Sequence, residues 1–112
     1  MNSLDFTKMK KKYLTVTLAD EKETKLSIGM PTKKIMDELI NLKSALESFE
    51  TDNTNTEALD DLYFACSKIM SRNREGVKIT KEFLEDLFDV EDVITIFQAY
   101  MSFIGEMSES KN

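Results

Sequence analysis

The segment from Val90 to Met107 constrains the fold more than any other part of the chain. At about 100° per residue, Val93, Ile94, Ile96, Phe97, Ala99, Tyr100, Met101, Phe103, Ile104 and Met107 cover an arc of roughly 220°. Glu91, Thr95, Gln98, Ser102 and Glu106 share the narrow strip that remains. A helix docked on one small core needs an apolar stripe only a little wider than ~100°. The surplus must meet a second layer of the same chain, another copy, or a different protein. Binding, rather than catalysis, is the expectation this raises.

With 112 residues the chain can build one domain around one modest core. One Pro and three Gly suit helices joined by short connections better than a many-turned sandwich. The fold class expected is mainly α with an N-terminal β-hairpin (α+β), about four helices in a small single domain. Residues 1–10 read as a polar arm with Leu4, Phe6 and Met9 as anchors, residues 11–106 as the domain, and residues 107–112 as a flexible tail.

The hairpin falls within residues 12–30. Leu14, Val16 and Leu18 alternate with Tyr13, Thr15 and Thr17, and Leu26, Ile28 and Met30 alternate again after the charged turn Asp20-Glu21-Lys22-Glu23. A lone hairpin is marginal in water, so its greasy face must lie on helices or on another subunit. Pro31 closes the second strand, and Thr32 is placed to cap a helix to about Glu50 with the stripe Ile35, Leu39, Leu42, Leu46 and Phe49. Thr51 to Thr56 reads as a mobile polar loop.

A second helix, Glu57 to about Arg72, buries Leu59, Leu62, Tyr63, Cys66, Ile69 and Met70 and leaves Phe64 among Asp60, Ser67 and Lys68. Gly76 or Asn73 suits the left-handed position after it. Thr80 can cap a short third helix holding Phe83, Leu84, Leu87 and Phe88. Asp89 with Asp92 can form a capping box for the fourth.

The chemistry available is narrow. The chain has no His, which removes imidazole acid–base work and most zinc designs. Its single Cys66 sits on an apolar face, as an inert thiol would. Gly29, Gly76 and Gly105 are too far apart to assemble a phosphate-cradling loop. Asp52-Asn53-Thr54-Asn55 lacks the glycine and terminal Glu of a calcium loop. Adjacent carboxylates such as Asp60-Asp61 and Glu85-Asp86 point in different directions and read as solvated helix faces.

No catalytic residue, cofactor or metal is therefore expected, and the protein is read as a non-enzyme. The net charge of −6 opposes nucleic acid as a principal partner, despite the small basic patch of Lys68, Arg72, Arg74 and Lys78. No apolar run reaches the length of a membrane span, and the chain is read as cytoplasmic. Lys8 to Lys12 form a basic start and Glu82 to Asp92 an acidic later half; the two could attract between copies or simply be solvated. What survives is surface: Tyr100, Phe103 and Met107 lie on the surplus flank of helix four, and Phe64, Phe97, Tyr100, Met101, Phe103 and Ile104 are the expected partner-binding residues, since aromatic and Met side chains favour interface centres.

Four stretches carry a resemblance: Leu59-Asp60-Asp61-Leu62-Tyr63-Phe64-Ala65-Cys66, Val77-Lys78-Ile79-Thr80, Phe83-Leu84-Glu85-Asp86-Leu87-Phe88-Asp89, and Phe97-Gln98-Ala99-Tyr100-Met101-Ser102-Phe103-Ile104. With the order hairpin, long helix, polar loop, helix, short acidic helix and aromatic-rich last helix, the chain resembles the tail assembly chaperones of long-tailed phages and prophages of Gram-positive bacteria. The resemblance implies a non-enzymatic helical protein of the infected cell, a homo-oligomer. It would coat the tape measure protein, hand it to the major tail protein, and be absent from the mature virion. It also implies a longer frameshifted form in some members, for which Ser108 to Asn112 would suit as the extension point. It maps no catalytic or binding residue onto this chain. The rival expectation is a small phage-encoded regulatory adaptor acting through the same apolar flank or through an acidic face.

Overall fold

In a computed structural model, the structure describes residues 4–6, 11–51 and 56–109. Strands β1 (Leu14–Thr17) and β2 (Lys25–Ile28) precede helices α1 (Lys33–Thr51), α2 (Thr56–Ser71), α3 (Lys81–Leu87) and α4 (Val90–Glu109). The architecture is a small, mainly helical domain with an N-terminal antiparallel hairpin, as expected from the two periodicities. The middle of the expected polar loop, residues 52–55, lies outside the described residues, as do Met9 and residues 110–112.

The hairpin pairs Leu14 with Ile28 and Val16 with Leu26. Because successive side chains alternate across a strand, this register gathers all four on one face. The turn is closed by Asp20, whose carboxylate accepts from the Thr24 backbone N–H at 2.9 Å and the Thr24 hydroxyl at 2.6 Å. Those two bonds hold the Asp20 carboxyl below its ordinary pKa. Glu23 supplies the left-handed residue at φ 49°.

Helix α2 is the hub. It packs against α1, α3, α4 and β2. Leu62, Cys66, Ile69 and Met70 on its inner side are fully buried, in one cluster with Leu26, Ile28, Leu39, Leu84 and Val93. Burying an aliphatic side chain of this size contributes about 1.5–3 kcal/mol, so this single cluster accounts for the cohesion of the domain.

The local punctuation follows the sequence. Thr32 Oγ1 accepts from Ile35 N–H at the start of α1, and Thr80 Oγ1 accepts from Phe83 N–H at the start of α3. Asp89 and Asp92 form the reciprocal box, with Asp92 N–H donating to Asp89 Oδ1 at 2.8 Å and Asp89 N–H donating to Asp92 Oδ2 at 3.1 Å. Gly76 takes φ 76° in the turn after α2, and Asn73 fastens that turn by accepting from Val77 N–H and donating to the carbonyls of Met70 and Val77.

Two boundary expectations change. Helix α4 continues through Glu109, past the point where polar residues suggested fraying. Leu4 and Phe6 are 72% and 66% exposed, so neither anchors the N-terminal arm to the core.

Candidate functional site

The surplus apolar arc of α4 is covered by the chain itself. Tyr100 is fully buried, and Phe97, Phe103 and Ile104 are 4%, 6% and 7% exposed. The expectation that these four residues are open to a partner is therefore corrected, and so is the free flank of Tyr100, Phe103 and Met107, since Met107 is itself partly buried against the core. The cause is a second layer. The greasy face of the hairpin and the inner side of α2 belong to the same buried cluster as α4, so the wide arc is taken up within the chain. The Tyr100 hydroxyl marks the junction by donating to the carbonyl of Gly29, just after β2, at 2.7 Å. Its ring lies 6.2 Å from that of Phe103, centroid to centroid. Met101 is half-buried at the margin of the same cluster.

Burial also sets the state of the two most reactive groups. The Cys66 thiol is pushed up to about 12 by desolvation, and Sγ–H donates to the carbonyl of Val93 at 3.6 Å. Burial pushes the Tyr100 phenol to about 12 as well, partly opposed by Arg72. Both remain protonated at neutral pH and serve as internal fasteners. Among the described residues, no group of three or more His, Cys, Asp or Glu is placed to hold a metal ion. Nor, among them, is any helix long and apolar enough to cross a membrane.

Three of the four cations of the basic patch make contacts within the domain. Arg72 Nε donates to the carbonyl of Met30, the Arg74 guanidinium lies 5.7 Å from the Tyr13 ring centre, and Lys68 pairs with Glu38.

Of the six expected contact residues, Phe64 alone is largely exposed, at 51%. It stands at a groove of about 280 Å³ between α1 and α2, whose apolar floor is Leu42 and Ala65 and whose rim is Glu38, Asp61 and Lys68. Lys68 Nζ lies 3.0 Å from Glu38 and 4.3 Å from the centre of the Phe64 ring. The ammonium thus fixes the aromatic by a cation–π contact while its own charge is partly answered. Ser67 hydroxyl turns inward to the Phe64 carbonyl at 2.6 Å, so it does not compete for the face. This arrangement offers an aromatic anchor, an apolar floor and a rim of both signs, the anatomy of a protein-binding patch.

Residues outside the six expected contacts join the apolar surface. Ile40 is 53% exposed on α1, one position off the Leu39 stripe, which is the signal that could have found it. Val77 and Phe83 line a shallow groove beside the hairpin turn. No family model, curated protein or solved structure matches this chain.

Proposed function

We propose that the protein is a non-enzymatic binding module, a phage or prophage tail assembly chaperone. It would work in the bacterial host cytoplasm, self-associate, engage the helical tape measure protein and help recruit the major tail protein. The observation that carries this reading is Phe64. It belongs to one of the stretches that resemble the family, and it is held half-exposed over a groove between two helices. Grooves of that kind accept the apolar face of an amphipathic helix, the client that a tape measure protein provides. The net charge of −6 supports solubility while greasy surface is exposed.

The test begins with the neighbouring genes, where a very long coiled-coil-like reading frame should lie downstream and a tail tube gene upstream. A fragment of that downstream product is then titrated against the wild type and Phe64→Glu. A central aromatic anchor typically contributes enough that its loss weakens binding at least about tenfold. The expected result is that loss with an unchanged melting temperature. Equal affinity for both proteins, or the absence of such a gene, overturns the reading.

A further inference from the structure

We infer that two copies of the chain dimerise by pairing the outer edge of β1 antiparallel with β1 of the second copy, making a four-stranded sheet. The inference rests on the self-association proposed above and adds where and how it occurs.

The two edges of the hairpin differ. On the far edge of β2, Ser27 N–H and hydroxyl donate to the Glu75 carboxylate at 2.7 and 2.8 Å, and Arg74 N–H donates to the Ser27 carbonyl at 2.9 Å. Gly29 N–H donates to the Arg72 carbonyl, and Ile28 bridges Asn73. That edge is occupied.

The backbone groups of Ser27 point away from β1, so its partner Thr15 sits in a pair without mutual hydrogen bonds. Alternation along the ladder then turns the N–H and C=O of Thr15 and Thr17 outward. Both residues are exposed, and among the described residues β1 pairs with β2 alone.

Packing points the same way. Leu26 and Ile28 are fully buried, whereas their partners Val16 and Leu14 on the open edge are only half-buried. Beside Val16 runs a groove of about 240 Å³ against Phe88, Thr95, Ile96 and Ala99. A strand added at this edge would send alternate side chains toward that groove.

Charge selects a second copy as the occupant. Lys11 and Lys12 precede β1, and Asp20 and Glu21 follow it. A two-fold axis at Val16 pairs Thr15 with the partner's Thr17 and so satisfies the outward backbone groups in both directions. It sets Val16 against the partner's Val16 and Leu14 against the partner's Leu18. Antiparallel pairing also brings Lys11 and Lys12 of each copy toward the acidic hairpin turn, with Asp20 and Glu21, of the other, once at each end of the joined strands. An unrelated extended peptide has no reason to carry this charge order.

The test is sedimentation velocity of the full chain, without client, over a concentration series reaching the millimolar range. Thr15→Pro removes an outward N–H without removing a bond to β2, a change that edge strands tolerate. It should weaken dimerisation at least about tenfold. Lys11→Glu should weaken it too, and Lys11→Glu/Glu21→Lys should restore it. Circular dichroism checks the folding of Thr15→Pro, and the charge pair carries the test if that variant melts. Mild oxidation should cross-link Val16→Cys, because a non-hydrogen-bonded pair brings the two Cα atoms to about 4.5 Å.

A wild-type protein that stays monomeric overturns the inference. So does a dimer indifferent to Thr15→Pro and to charge reversal, or a cross-link at Thr15→Cys instead of Val16→Cys. Because no client is present, loss of tape measure binding would leave this result standing, and a monomer that still binds through Phe64 would leave the client reading standing.

Discussion

Phe103 on α4 and Phe64 on α2 are both aromatics left over once a helix has filled a single core, yet the first is 6% exposed and the second 51%. Helical periodicity treats them alike. The difference lies in what arrives from elsewhere in the chain. The hairpin, remote in sequence, lays its apolar face into the cluster that holds α4. Helix α1 runs along α2 but meets it through Leu39, Leu42 and the Glu38–Lys68 pair, leaving Phe64 at the rim. Surplus apolar area on a helix therefore marks an interface only where no non-local element of the same chain covers it.

The sharpest way to break this contrast is to truncate both rings. Phe103→Ala should cost about 3–5 kcal/mol in chemical denaturation, because it opens a cavity in a packed core. Phe64→Ala should stay within about 0.5 kcal/mol of wild type, as exposed sites do. Equal losses at the two positions would mean that they share one environment. A smaller effect sharpens the local side of the account. Asp89→Ala removes one half of the box that starts α4 and should cost about 1 kcal/mol, read from the same denaturation curves.

The smallest expected effect is on pH dependence. The Glu75 carboxyl is held below its ordinary value of 4.5, first by the Ser27 N–H and then by the Ser27 hydroxyl. Its folded value is depressed, so its contribution is present above the unfolded value and is lost as pH falls through the folded one. Thermal melts from neutral into acid should show a decline below about 4.5 that Glu75→Gln flattens. An identical profile in the variant would mean that the Glu75–Ser27 clamp adds nothing to the edge of β2.

Elements whose signals are local were legible from residues alone. Thr32, Thr80 and the Asp89–Asp92 pair announce helix starts because a capping side chain acts within three residues of itself. The alternation of Leu14, Val16 and Leu18 against threonines names both strand and face for the same reason. Burial of Phe97, Tyr100, Phe103 and Ile104 was not legible. It depends on how the hairpin is set against α4, which the wheel of one helix does not contain. Nor was the Glu75–Ser27 clamp, whose partners lie 48 positions apart. For Phe64 the wheel of α2 shows only that the ring stands off the Leu62–Cys66–Ile69 side; its exposure depends, like the burial of Phe103, on what the rest of the chain covers.

The attachment of α1 has a dynamic consequence. Its packing against the rest of the domain runs essentially through α2. A helix fastened along one side can lift as a unit, while α2, gripped from several directions, opens only with the whole domain. Amide protons of α1 should accordingly exchange with solvent well before those of α2. Each such excursion would widen the Phe64 groove, so a client helix could slide into the space that α1 vacates without the remainder of the domain having to unfold.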